Sequence, residues 1–300
     1  MENNEIMVSV RCQVYNQEKY IGACLDGFVM QITSFKYEVI VHDDASTDST
    51  PSIIADYARK YPNIIKPIFE TENQRQKHDG SLRRILNKAC VGKYIAICEG
   101  DDYWTDPYKL QKQVDFMESH PDFTLCFHSA AVLIENNSKK YIDCENIVER
   151  EYFTKDIFPH WIIPTASVVC RREVFSAPII HREMLLYGDI AIFLQAAKLG
   201  RLWGMNDQMS VYRINSGGVT QKEKKPDYKR WILHERCLRM NFPDIDRDLI
   251  NRNIAGYYYS LAKNAGNPLD AFVQYFHSFI NSPTFLFTKI IDGFKRKIKR

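Results

Sequence analysis

Along the first half of the chain, short apolar runs alternate with segments whose apolar positions recur every three or four residues. Met7–Tyr15 (MVSVRCQVY) reads as a buried strand, and Ile21, Cys24, Leu25 and Phe28 then share one helix face. YEVIVHDD, from Tyr37 to Asp44, is a second strand. Ser46 or Thr47 is placed to cap the next helix, Asp48 adds negative charge near its start, and Ile53, Ile54, Tyr57 and Ala58 form its apolar stripe. IIKPIF, from Ile64 to Phe69, is a short third strand, and Glu70–Asp79 is polar and loop-like. A helix near Leu82–Cys90 leads to a fourth strand in KYIAICEGDD, from Lys93 to Asp102. This alternation predicts an α/β fold with a mostly parallel central sheet flanked by helices.

After Pro107 a helix is predicted to about His120, with Leu110, Val114 and Met117 inward. TLCFHSAAVLI (Thr124–Ile134) is a fifth strand and Glu135–Lys140 a turn; the pattern is then irregular through Pro164. TASVVCRR (Thr165–Arg172) reads as a strand, and Gly188–Gly200 as a helix that Gly200 closes. Arg201–Ile214 reads as two short strands around a turn. From Lys222 the pattern becomes helical, in Lys222–Phe242, Asp246–Ala265 and Pro268–Ile280. The expected organisation is an α/β domain over residues 1–221 and a helical appendage over 222–300.

Composition sets the class. An apolar fraction of 45% over 300 residues is enough for a substantial core and excludes long disorder. The net charge of +3 is uneven: the last twelve residues, KIIDGFKRKIKR, carry six basic groups and one acid, which leaves the rest at −2. The body therefore lacks the charge of a nucleic-acid-binding surface. The eight cysteines are scattered singly, with no C-x-x-C pair, which argues against a zinc site or disulfide framework and for buried thiols in a reducing cytoplasm. The N-terminal segment does not read as a signal peptide, and no apolar run reaches the ~18 residues of a membrane span.

The chemistry gathers at strand ends. In an open parallel sheet, ligands bind outside the carboxyl ends of the strands. Here the first strand ends in Tyr15-Asn16, the second in Asp43-Asp44-Ala45-Ser46-Thr47-Asp48, and the fourth in Glu99-Gly100-Asp101-Asp102. A carboxylate at the second strand end can accept hydrogen bonds from a base or ribose, and a tyrosine can stack on the base. Carboxylates at the fourth, with Gly100 relieving crowding, suit Mg²⁺ or Mn²⁺, which takes one or two protein carboxylates and completes its shell with phosphate and water. Neither glycine-rich phosphate loop, G-x-x-x-x-G-K-[ST] or G-x-G-x-x-G, occurs, and a metal bridge to a diphosphate would fill that gap.

These motifs, Tyr15-Asn16 before a helix, DDASTDST at 43–50 and EGDDYW at 99–104, resemble the family 2 glycosyltransferases of GT-A fold, over roughly residues 7–220. Within the family, the chain looks like the enzymes of bacterial capsule, O-antigen and exopolysaccharide assembly. The resemblance implies an inverting transferase that uses a UDP-sugar and a divalent cation at the cytoplasmic membrane face. Its acceptor would be a glycan, polyprenyl-linked in such pathways. Asp44 would bind the base, with Gln13 and Tyr15 lining its pocket; Asp101 would contact ribose or metal, and Asp102 would ligate the metal. Arg83 or Arg84 loosely matches a basic residue near the phosphates, and Asp189, at a helix start, matches the catalytic base. Where relatives carry a histidine after the Tyr-Arg pair, this chain has Asn215. Gln195 is not followed by the R-W of processive synthases, which points to single additions.

Plainer readings compete. Asp43 and Asp44 could serve turns and caps, Asp101 and Asp102 could be a solvated acid pair, and Asp189 could be a helix cap. Trp104 is either a plug beneath the acid loop or part of the acceptor wall, and Arg83 and Arg84 fit a solvated helix face. A sugar-nucleotide pyrophosphorylase would need a glycine-rich loop where Tyr15–Lys19 stands, and a degenerate sugar-binding module would have lost Asp44, Asp102 or Asp189. Finally, Phe287, Ile290, Ile291, Phe294 and Ile298 fall at helical spacing among Lys289, Lys295, Arg296, Lys297, Lys299 and Arg300, the pattern of a helix that could lie on an anionic membrane or pack on the body with a frayed basic end.

Overall fold

The computed structural model describes residues 5–135, 144–215 and 227–298. The turn expected beyond Glu135, the first residues of the helix expected from Lys222, and Lys299 and Arg300 lie outside the described residues. By its contacts the chain forms two compact units, Met1–Ala177 with Ile192–Lys222, and Pro178–Ala191 with Glu223–Arg300.

In the first unit, β1 (Ile6–Val14), α1 (Ile21–Val29), β2 (Lys36–Asp43), α2 (Thr50–Lys60), β3 (Ile65–Phe69), α3 (Ser81–Ala89) and β4 (Tyr94–Ile97) follow one another in the expected alternation. They build a parallel block in the order β3-β2-β1-β4. Val8, Val10, Cys12 and Val14 from β1 join the same core as Ile21, Cys24, Leu25 and Phe28 from α1. Between them, Ser9 and Arg11 are polar and still buried, and both are paired: Ser9 Oγ donates to Glu38 Oε1 at 2.6 Å and accepts from Gly92 N at 2.8 Å, and Arg11 Nη1 donates to Asn87 Oδ1 at 3.1 Å.

The sheet continues through β5 (Tyr103–Trp104), β6 (Phe123–Ile134), β7 (Arg150–Tyr152), β8 (Val169–Arg171) and β9 (Arg201–Ile214), in the order β3-β2-β1-β4-β8-β6-β9-β5 with β7 also on β9. Strand β8 runs antiparallel to both β4 and β6, and β6 and β9 are parallel. Helix α4 (Lys109–Ser119) packs on this half, α5 (Thr154–Ile157) and α6 (Glu173–Ser176) are single turns, and α7 (Asp189–Leu199) precedes β9. The α/β architecture read from the sequence is therefore present. The two short strands expected in 201–214 are instead one strand. His128 pairs with Met205 and Ser129 with Gln208, so Asn206 and Asp207 bulge out and the strand continues in the same direction. Lys112 Nζ donates to the bulged Asp207 at 2.7 Å.

Beneath β5 the packing is close. A Cβ on Gly27 would come within 2.8 Å of Trp104 N, so α1 can approach this backbone only through glycine. Trp104 is 2% exposed, packs edge-on against Phe28 at 4.8 Å, and donates its indole N–H to Ala166 O at 2.8 Å. Lys109 Nζ lies 4.2 Å over the Trp104 ring and donates to Gln113 Oε1 at 2.7 Å. Burial pulls the Lys109 ammonium down to about 7. Between that value and the ~10.4 of a free lysine, the unfolded chain holds a proton that the folded one has released. Stability therefore rises with pH across this window, by up to about 1.4 kcal/mol per pH unit, and the full cost is present below it. Denaturant titrations of wild type and Lys109→Met at pH 7, 8 and 9 check this; the variant is expected to gain most over wild type at pH 7, and the gap to close as pH rises. Taking the difference at each pH cancels the cysteines, all eight of which are buried.

The second unit contains α8 (Tyr228–Asn241), α9 (Arg247–Lys263), α10 (Pro268–Asn281) and α11 (Pro283–Ile298). Asp227, Asp246 and Asn267 cap the first three through their side chains. Residues 178–191, which the sequence division placed with the α/β part, cluster with these helices. Ile180 N donates to Asn241 Oδ1 at 2.7 Å, Asn241 Nδ2 donates to Ile180 O at 2.8 Å, and Leu186 N donates to His234 Nδ1 at 3.2 Å. Among the described residues, no helix is long and apolar enough to cross a membrane.

Candidate active site

The register of the parallel block brings three strand ends to one edge. Val14 pairs with Asp43 across β1 and β2, Asp44 N donates to Val14 O at 2.9 Å, and Gly100 N donates to Gln13 O at 3.1 Å. The loops after β1 and β2 are laced together. Asn16 N donates to Ser46 Oγ, Asn16 Oδ1 accepts from Thr47 N, Glu18 N donates to Asp48 Oδ2, and Ser49 N donates to Glu18 Oε2. Asn16 and Ala45 both adopt positive φ, 52° and 62°, so each loop turns sharply enough to present its groups at the edge. Tyr15 stands exposed there.

Asp44 is buried. Its carboxylate accepts from Gln74 N at 2.6 Å and Arg75 N at 3.1 Å, which ties the 70–79 loop to the end of β2. Asp43 accepts from Ser46 N at 3.1 Å, and its Oδ1 is buried with no partner among the described residues.

The acid pair after β4 meets the end of β9. Arg213 N donates to Asp102 Oδ1 at 2.8 Å, Arg213 Nε to Asp101 O at 2.9 Å, and Asn215 Nδ2 to Asp101 Oδ2 at 3.1 Å. The Arg213 guanidinium is not spent on either carboxylate. Its Nη1 donates to Glu135 Oε1 at 2.6 Å, Tyr20 Oη donates to Glu135 Oε2 at 3.0 Å, and the Tyr20 ring lies 4.7 Å beneath it. Arg213 holds the Glu135 carboxyl below its ordinary range. Burial pushes the Asp101 carboxyl up, against hydrogen bonds that include one from Asn215. Burial pushes Asp102 well up, and the neighbouring charge of Asp101 adds to it. A Cβ on Gly100 would run into Gln17 Oε1, itself a buried acceptor with no partner among the described residues.

Two adjacent carboxylates, Asp101 half-buried and Asp102 buried, each disfavoured as an anion, are the donor set that a hard divalent cation compensates. The set fits such an ion: Asp101, Asp102 and, with its amide turned, the oxygen of Asn215. Among the described residues, no cluster of three or more His, Cys, Asp or Glu side chains makes a closed cage. A site of two carboxylates that leaves the rest of the shell to phosphate and water needs none.

The family model described as glycosyl transferase family 2 matches residues 9–176, which contain the three strand ends and both acid motifs. The chain belongs to this family. The putative glycosyltransferase EpsE of Bacillus subtilis is 40% identical to it over 247 residues, 80% of this chain and 85% of that one. The chain spans 61% of the length of the first curated relatives it matches, at 38% identity over 220 residues. Among solved structures, S. aureus TarS 1–349 in complex with UDP-GlcNAc superposes with a TM-score of 0.62 at 18% identity, over 91% of this chain and 80% of that one. The mannosyltransferase PcManGT from Pyrobaculum calidifontis in complex with GDP-Man and Mn²⁺ superposes at 0.53 and 16% identity, over 96% and 89%. At these identities the likeness shows the fold, and it is the GT-A fold that the motifs imply.

Within this family 2 member, the remaining candidates fall as follows. Gln13, half-buried, sits at the same strand end as Tyr15. Arg84 is exposed on α3 and donates to Asp79 O at 2.6 Å, which fastens it to its own loop. Trp104 corrects the reading of it as acceptor wall: its ring is enclosed and its one polar atom is satisfied by Ala166, so it is a plug beneath the acid loop. Asp189 belongs to the second unit, where it opens α7 and its Oδ1 accepts from Ile190 N at 2.9 Å. Arg213, Glu135 and Tyr20 were not singled out from the sequence as site residues. No local spacing marks them, since they meet across 78 and 115 residues.

Proposed function

We propose that this chain is an inverting, non-processive glycosyltransferase that moves one sugar from a UDP-sugar to a hydroxyl of a glycan in surface-polysaccharide assembly, the acceptor being lipid-linked. The observation that carries this reading is the Asp101–Asp102 pair, half-buried and buried, held by Arg213 and Asn215 at the strand edge that also presents Tyr15 and Asp44. Tyr15 would stack on the base. Asp44, fixed by Gln74 and Arg75, would accept the base N–H with its remaining lone pairs, and Gln13 would close the pocket floor. Asp102 and Asp101, with Asn215, would hold a divalent cation, Mn²⁺ or Mg²⁺, which supplies the charge that offsets the negative charge growing on the departing nucleoside diphosphate. Asp189 would take the acceptor hydroxyl proton as the new C1–O bond forms opposite the breaking bond to phosphate.

Thermal-shift measurements against a panel of nucleotide-sugars test this. With Mn²⁺ present, a UDP-sugar at about 100 times its Kd is expected to stabilise the fold by roughly 2.7 kcal/mol. EDTA should remove that shift, and it should also stop release of UDP in a transfer assay. A donor-induced shift of the same size in EDTA would overturn the metal assignment, and no shift with any nucleotide-sugar would overturn the transferase reading.

A further inference from the structure

Helix α10 packs on one face and is apolar on the other, where a surface helix turns polar groups to water. One face packs inside the second unit: Ser278 Oγ donates to Ala255 O at 2.8 Å, Tyr275 meets Tyr259 edge-on at 5.7 Å, and His277 stacks on Tyr258 at 4.9 Å. The other face is open. Leu269, Phe272, Val273, Phe276 and Ile280 recur at the three-to-four-residue spacing of a single stripe, with Leu269 74%, Phe272 67% and Phe276 53% exposed. Pro283 ends the run and starts α11, where Phe287, Ile290 and Ile291 are exposed at the same spacing. The two stripes are continuous, for the Phe279 and Phe287 rings touch edge-to-face at 6.1 Å. Soluble proteins rarely leave an apolar surface of this extent open unless something covers it.

Charge names what covers it. The last twelve residues, which α11 carries into, hold six lysines and arginines against the single acid Asp292. A second copy of the chain carries the same excess of positive charge in its last twelve residues, so charge complementarity does not favour it. A surface that is apolar beneath and negative at its head-groups matches both features. We propose that α10 and α11 form one lipid-facing surface that seats this protein on an anionic membrane, with the phenylalanines of α10 as its inserted edge. This extends the membrane reading of the basic tail to α10, and it stands apart from the sugar chemistry because it can be measured without donor or acceptor.

The test is flotation of the full chain with phosphatidylcholine vesicles that do or do not contain phosphatidylglycerol. Wild type is expected to float with the anionic vesicles, to release in high salt, and to bind about tenfold more weakly as Phe272→Ser/Phe276→Ser, two losses of inserted apolar surface. Both residues are exposed, so the variant should melt as wild type does. A second arm avoids that dependence: Phe276→Trp keeps an aromatic, and its added emission should shift to the blue and be quenched by brominated acyl chains. Failure of wild type to float overturns the proposal, as does flotation unchanged in the double variant or an added indole emission that the brominated chains leave unquenched. So does a concentration-dependent dimer that the double variant loses without any vesicle binding, which would assign the face to a second copy.

Discussion

Replacing Asp102 by Asn is expected to reduce transfer by on the order of 10²–10³-fold, the loss typical when one preorganised group that stabilises transition-state charge is removed. The fold should survive. Asp102 is 3% exposed, and burial together with Asp101 already disfavours its charge, so a neutral amide is no harder to bury. Its Oδ1 accepts from Arg213 N, a contact the Asn oxygen can repeat. The discriminating measurement is melting temperature with and without Mn²⁺. Wild type should rise with the ion, and Asp102→Asn should melt as high as metal-free wild type but no longer respond. Turnover unchanged by the substitution would remove the metal from this site.

Asp189→Asn is expected to lower kcat by roughly 10²–10⁴-fold, the usual contribution of a general base, with donor affinity retained. The substitution is mild in structure: Asp189 Oδ1 accepts from Ile190 N at the start of α7, and Asn serves that position equally well. Titrating UDP-sugar into the variant separates the two roles. Retained binding with lost transfer supports the base, whereas a collapse of donor affinity would make Asp189 a binding residue.

Much of the fold was legible because its signals are local. Apolar runs and helical stripes placed the starts of β1 to β4 and of α3 and α4 within a residue or two, and the acid motifs stood at strand ends where a parallel sheet exposes them. What was not legible depends on partners distant in the chain. Arg213 joins Asp101, Asp102, Glu135 and Tyr20 only once β9 has paired with β6 and β5. Residues 178–191 belong with the helical unit because of two hydrogen bonds to Asn241, which no periodicity records. The Asn206-Asp207 pair has turn chemistry, yet pairing with β6 on both sides keeps it a bulge within one strand. The open face of α10 was hidden for the opposite reason. An apolar stripe in a sequence looks the same whether it faces a core or a bilayer.

The buried cysteines give each unit its own clock. Cys237 is the one cysteine of the second unit, and the other seven belong to the first. A thiol reagent in water can reach each of them only when the surrounding structure opens. The rate at which Cys237 is labelled therefore reads the opening of the helical unit, while Cys12, Cys98 and Cys126 read that of the sheet core. Peptide mapping of the modified chain would time both openings in a single experiment, with no engineered probe.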